Sequence, residues 1–323
     1  MKIAFLKTGV AGIAVAMALV ATTAAAKEIT LGIVAANMQY PFNAAAVRGF
    51  QAEAKKLGAK TVVLDGKGSV EAQGNAIDDL ISQKVDGIGS ILLDSVVAKT
   101  WVDRAAENNI PFVSVGVQVG DPDKVPLRQV YPKLTALVTR DDVESGELAG
   151  ELAAKLLPKG RTAKIGIVEG TAGVAAVKQR TQGFKEGLAK MGAKYEIVAS
   201  QPTDWTAEQG EAVCQNILTA HPDVDLFFGQ YDDIGLGCSR AVRSVGSHAQ
   251  IVTADGGSRR GIEAIKVGDM AGSVCSEPET IGRLSAKALY DAITNKNTPK
   301  AQLIMYKQIA VTKANLSECQ PQF

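Results

Sequence analysis

Residues 29–65 read ITLGIVAANMQYPFNAAAVRGFQAEAKKLGAKTVVLD. Ile29–Ala35 is a short, nearly unbroken apolar run, as expected of a strand covered on both faces. Phe42, Ala46, Phe50 and Ala54 then recur every fourth residue, with Val47 and Leu57 widening the stripe, which predicts an amphipathic helix. Gly58 follows that helix, where a chain reversal needs a residue tolerant of positive φ. Lys60–Asp65 starts a second β-branched run. Strand, helix and strand in little more than ~30 residues make a βαβ unit, which requires a parallel pair.

The same rhythm continues outward. Further strands are expected at Gly87–Leu93 and Ile110–Gly116, then at Lys164–Glu169, Tyr195–Ser200, Asp225–Gln230, Gln250–Ala254 and Ala271–Cys275. Gly192 repeats the role of Gly58. The rhythm breaks at Gln118–Lys133, which carries Pro122, Pro126 and Pro132 and shows no periodicity. It separates two comparable groups of units, so the expected fold is doubly wound α/β in two lobes.

Residues 1–26 fall outside this pattern. Lys2 and Lys7 form a basic start, Val10–Val20 is apolar and uncharged, and Thr22–Ala26 ends in small residues before Lys27-Glu28. That order predicts a secretory signal peptide cleaved after Ala26. The apolar run is short for a membrane span of roughly 20 residues, and no cysteine lies near the cut to carry a lipid. An exported chain is expected.

Export bears on the four cysteines, Cys214, Cys238, Cys275 and Cys319. None forms a CxxC pair, so disulfides fit better than zinc. Four cysteines allow three pairings, which the sequence leaves open; Cys214–Cys238 with Cys275–Cys319 is favoured because the first pair falls on successive helices. With 35 Lys+Arg against 34 Asp+Glu, the chain lacks the basic excess of a nucleic-acid binder. Apolar residues make up 46%, which excludes intrinsic disorder and allows a large core.

Catalytic signatures are absent: there is no GxSxG, HExxH, GxxxxGK[ST] or complete GxGxxG after a strand. No cofactor or metal is therefore expected. His221 and His248 both stand in polar loops and read as solvated. Asp141-Asp142 and Asp232-Asp233 read as helix-start acids favoured by the dipole rather than as an acid–base pair. Gly170–Gly173 follows a strand and reads as an ordinary βα turn rather than an anion site. The aromatics say more. There are two Trp, six Tyr and eight Phe, yet Tyr40, Phe42, Trp205 and Tyr231 all follow strand ends. Ligands bind outside those ends in open α/β sheets, and Arg180, Asp232 and Asp255 should approach the same edge. Aromatic faces with Asp and Arg suit a small polyhydroxylated ligand.

At this point the chain resembles the type I periplasmic sugar-binding proteins of ABC importers, near the ribose-binding group, from Ile29 to about Thr312. The resemblance rests on Tyr40-Pro41-Phe42, Val85-Asp86-Gly87-Ile88, Asn108-Asn109-Ile110-Pro111, Gly146-Glu-Leu-Ala-Gly150, Arg180-x-x-Gly183-Phe184, Ser200-Gln-Pro-Thr-Asp-Trp205, Thr219-Ala-His-Pro-Asp223 and Asp255-Gly256. It implies two Rossmann-like lobes joined by a three-stranded hinge: 27–139 with 277–305, and 140–276 with 306–323. It also implies a monomer that closes on its ligand and docks on an inner-membrane permease.

Residue by residue, Phe42 and Trp205 match stacking aromatics, Arg180 an arginine bonding sugar hydroxyls, and Asp255 an aspartate accepting from them. The departures also count. Gly116-Val117 stand where the ribose group has Asp-Arg. Tyr40 and Tyr231 each replace an Asn, Asn43 a second Phe, and Ser276 a hinge Gln. A pocket more aromatic and less charged than a ribose site is expected, for another pentose or hexose, a sugar alcohol or a less hydroxylated ligand. Gln118, Arg128 and Arg140 are candidates to replace the lost contacts. Two functions share these residues: solute capture for an ABC importer without chemistry on the ligand, and a periplasmic sensor subunit for a chemoreceptor or histidine kinase.

Overall fold

The computed structural model describes residues 1, 2, 4, 28–126 and 128–323. The predicted leader, apart from residues 1, 2 and 4, lies outside the described residues. The chain begins as the sequence reading expects, with β1 (Thr30–Ala35), α1 (Pro41–Lys56) and β2 (Lys60–Asp65). It continues through α2 (Val70–Ser82), β3 (Gly87–Ser90), α3 (Ala98–Glu107), β4 (Phe112–Val115) and β5 (Ala136–Thr139). These strands form a sheet of order β5-β4-β3-β1-β2, all parallel, with the late strand β11 (Gln302–Met305) added beside β5.

A second sheet repeats the plan. Its elements are α4 (Asp142–Leu156), β6 (Ala163–Glu169), α5 (Ala175–Lys190), β7 (Tyr195–Pro202), α6 (Ala207–Ala220) and β8 (Leu226–Gly229). After them come α7 (Asp232–Ser244), β9 (Gln250–Thr253), α8 (Arg259–Val267) and β10 (Gly272–Cys275). Helix α9 (Pro278–Thr294) returns to the first sheet, and β12 (Ile309–Thr312) closes the second, antiparallel to β10. The chain thus passes between the sheets at Arg140–Asp141, Ser276–Glu277 and Tyr306–Gln308.

Both faces of each sheet are covered, so the inner strands carry apolar residues on both sides. Leu31, Ile33, Val34, Ile165, Ile167 and Phe228 are fully buried, and each such side chain contributes about 1.5–3 kcal/mol on burial. Helices α4 and α5 touch backbone to backbone. A Cβ on Gly183 would lie 1.9 Å from the Val143 carbonyl oxygen, and one on Gly146 2.2 Å from that of Arg180. That close approach explains two of the sequence motifs physically and seats Arg180 against the start of α4.

Both disulfides take the pairing favoured above. Cys214–Cys238 joins α6 to α7, with Cα atoms 5.2 Å apart. Cys275–Cys319 ties the last residues of the chain to the end of β10. Three strands were not among the expected runs: β5, β11 and β12. Four expected runs also extend past the ends of their strands, at β3, β4, β8 and β9. The first sheet ends at Ser90 and Val115, and Ile91–Leu93 and Gly116–Val117 lead off its edge.

Candidate functional site

The carboxyl ends of the two sheets face one cavity of about 100 Å³. One water needs roughly 10–15 Å³, so the space suits a small molecule rather than a single solvent molecule. Helix starts aim most of the expected residues into it. Tyr40 and Tyr231 occupy the N-cap positions of α1 and α7, and Pro41 opens α1, where its missing N–H costs nothing. Phe42 and Asn43 follow, with Asn43 Nδ2 donating to the Asn37 carbonyl at 3.0 Å.

Trp205 enters from the second sheet. Thr203, whose N–H and Oγ1 both donate to the Glu169 carbonyl, pins the turn before it. Trp205 itself has φ 72°, a strained value for a bulky residue, of the kind that clusters at ligand clamps. Its ring lies against Gly170, where a Cβ would fall 1.9 Å from the ring. The Gly170–Gly173 turn therefore makes room for the indole, and its Gly170 N–H donates to Gln230 Oε1 at 3.0 Å.

At the polar end stand two arginines and two aspartates, all nearly inaccessible. Arg180 Nε donates to Asp142 Oδ1 (2.8 Å), Nη1 to the Gln230 carbonyl (2.7 Å) and Nη2 to Asp255 Oδ2 (2.8 Å). Arg140 Nη2 donates to the same Asp255 oxygen at 2.6 Å, and its Nε lies 3.2 Å from Asp142 Oδ1. Burial works against the Arg140 charge, but Asp142 and Asp255 more than offset it and hold the guanidinium protonated. Burial likewise raises the Asp255 pKa, and Arg140 and a hydrogen bond from Ser276 oppose the rise. Each guanidinium also faces a ring, Arg140 over Phe42 at 5.1 Å and Arg180 over Trp205 at 5.8 Å.

By hydrogen-bond geometry this cluster still leaves Arg140 Nη1 and Asp255 Oδ1 without partners, although Ser276 stands close to Asp255 and the Phe42 backbone close to the Tyr231 hydroxyl. Buried polar groups are almost always hydrogen-bonded, and exceptions at a cavity mark where a ligand's polar atoms belong.

Of the eight expected residues, Tyr40, Phe42, Asn43, Arg180, Trp205, Tyr231 and Asp255 line the cavity. Ser276 does not: it is buried at a crossing between the sheets, its Oγ 3.3 Å from Tyr306 Oη. Asp232 also turns away. Its carboxylate accepts from Thr253 Oγ1, Ser273 Oγ and the N–H and Oγ of Ser258, fixing the loop behind Asp255. Among the three candidate replacements, Arg140 lines the cavity; Gln118 bonds Val125, Pro126 and Gln179, and exposed Arg128 lies 3.8 Å from Asp141. Arg140 thus brings a second guanidinium to the cavity beside that of Arg180. The sequence reading missed Asp142 and Phe323. The Phe323 ring packs 6.3 Å from both Tyr231, nearly parallel, and Phe42, edge-on.

Residues 31–297 match the family model described as periplasmic binding protein domain. The chain belongs to that family. It is 30% identical over 274 residues to the ribose import binding protein RbsB of Bacillus subtilis, covering 85% of each chain. Against the RbsB of Escherichia coli it is 32% identical over 268 residues, 82% of this chain and 84% of the other. Among solved structures, an ABC transporter solute-binding protein of Bacillus halodurans with bound myo-inositol superposes with a TM-score of 0.81 at 21% identity. That match covers 92% of this chain and 98% of the other, and shows the shared fold. No helix among the described residues is long and apolar enough to cross a membrane.

Proposed function

We propose that this protein is the periplasmic solute-binding component of an ABC importer, holding a small neutral sugar or polyol between its lobes and handing it to a permease. One observation carries the reading. A buried donor, Arg140 Nη1, and a buried acceptor, Asp255 Oδ1, both lack a protein partner in hydrogen-bond geometry at one cavity flanked by Phe42 and Trp205. A hydroxyl both donates and accepts, so adjacent hydroxyls on one ring satisfy both atoms. Both cavity arginines are already paired with Asp142 and Asp255, which favours a neutral ligand over a sugar acid. The curated relatives are named for sugar import, which supports the same class.

The reading includes no reaction on the ligand: Arg140, Arg180 and Asp255 at the cavity are held in ion pairs, and among the described residues no His, Cys or Lys side chain lines it. The three crossings supply a hinge, dividing the chain into lobes 27–139 with 277–305 and 140–276 with 306–323. A thermal-shift panel of pentoses, hexoses and polyols tests the proposal. A ligand at 100 times its dissociation constant stabilises the native state by about 2.7 kcal/mol, a rise of a few degrees. The expected result is such a rise for a sugar or polyol, absent in Trp205→Ala and Asp255→Asn. A panel without any rise, on folded protein, would overturn the proposal.

A further inference from the structure

Polar side chains cluster on one part of the cavity lining, and much of the rest is apolar. Arg140, Arg180, Asp255 and Tyr231 form the polar part, while Ala36, Ile91–Leu93, Gly116 and Val117 offer the ligand no polar side chain. The backbone of these apolar residues is largely engaged as well. The Ile91 N–H donates to the Val34 carbonyl, and the Ile91 carbonyl accepts from Gln73 Nε2 at 2.7 Å. The Leu93 N–H donates to Gln73 Oε1, closing a two-point clamp on the segment. At the next strand end, the Gly116 N–H donates to the Val138 carbonyl and the Gly116 carbonyl accepts from Thr139 Oγ1. The Val117 carbonyl accepts from Ser114 Oγ, and that of Ala36 from the Gly68 N–H. The polar side chains of the first lobe at the cavity, Tyr40 and Asn43, stand apart at the start of α1, and the Asn43 amide donates to Asn37.

A fully hydroxylated ring bonded to Arg140 and Asp255 would set some of its remaining hydroxyls against these apolar residues, where they lose water and gain no partner. Resting on the polyol reading above, we infer that the ligand is a deoxy sugar: adjacent hydroxyls on one edge, and a methyl or methylene on the edge facing Ile91–Leu93 and Val117. The hydroxyl edge satisfies Arg140 Nη1 and Asp255 Oδ1, and the C–H edge fills the apolar wall without leaving a buried hydroxyl unmatched.

Calorimetric titration of the unaltered protein with sugar pairs differing by one hydroxyl tests this: D-galactose and D-fucose, L-mannose and L-rhamnose, D-ribose with its 2-deoxy and 5-deoxy forms. An apolar wall rejects an added hydroxyl by about ten- to a hundredfold, so a deoxy member should bind at least tenfold more tightly than its parent. Val117→Asn, which places a partner on the wall, should shrink that ratio. Equal or tighter binding by the parent in every pair that binds would overturn the inference and leave sugar capture standing. Binding by no member of any pair, on folded protein, would overturn both.

Discussion

A Cβ on Gly170 would stand 1.9–2.3 Å from three atoms of the Trp205 ring, so even alanine there must displace the indole. Gly170→Ala is expected to weaken ligand binding at least tenfold while leaving the circular dichroism spectrum intact. In a Trp205→Ala background the same change should cost almost nothing more, because coupled residues are not additive. An undiminished affinity in the single variant would show that the indole does not cover the ligand. That Trp205, Phe42 and Asp255 line the cavity was legible in the sequence because each follows a strand end, the edge at which open α/β sheets bind ligands. Asp142 was not, since an acid at a helix start looks the same whether it serves the dipole or an arginine. The two buried arginines explain which it does here. Arg140 was visible only as a candidate: its partner Asp255 lies 115 residues away, and no local pattern announces a shared carboxylate.

Among the elements, the segment after β12 does more than its length suggests. Cys319 fixes it to β10, and beyond that bond it spans both lobes. The Gln322 carbonyl accepts from Arg48 Nη2 of α1 at 2.7 Å, and its Oε1 accepts from the Glu279 N–H of α9 at 2.8 Å. The Phe323 carbonyl accepts from the Arg259 N–H at the start of α8. Its ring therefore backs Phe42 from one lobe and Tyr231 from the other. Each aromatic pair contributes about 0.5–1.5 kcal/mol beyond its area, so Phe323→Ala should weaken binding by about tenfold. Titration calorimetry checks this, and unchanged affinity would mean the ring merely covers surface. Sequence periodicity could not reveal this element, whose regular structure is a single 3-10 turn at Leu316–Glu318. The unforeseen strands have related causes. β5, β11 and β12 are four residues each, and β11 is only half-buried, so QLIM carries neither alternation nor a sustained apolar run.

At the scale of the molecule, the lobes meet through a few polar contacts besides the cavity. Gln179 Nε2 donates to Gln118 Oε1 at 2.7 Å, the Ala175 N–H donates to Ser95 Oγ at 3.1 Å, and Lys178 pairs with Asp123. The ion pair is exposed and contributes about 1 kcal/mol at most. Contacts of this kind allow the lobes to part, and a ligand that binds both lobes shifts the balance toward closure. The unpartnered atoms fit that role: Arg140 stands where the chain first crosses between the sheets, and Asp255 reaches it from the second. Capture between closing lobes is the central claim, and small-angle X-ray scattering across a ligand titration tests it most directly. The radius of gyration should fall as ligand is added and level off at one ligand per chain, with Asp255→Asn showing no fall at the same concentrations. A radius unchanged from ligand-free to saturated protein, with binding confirmed by calorimetry on the same sample, would contradict it.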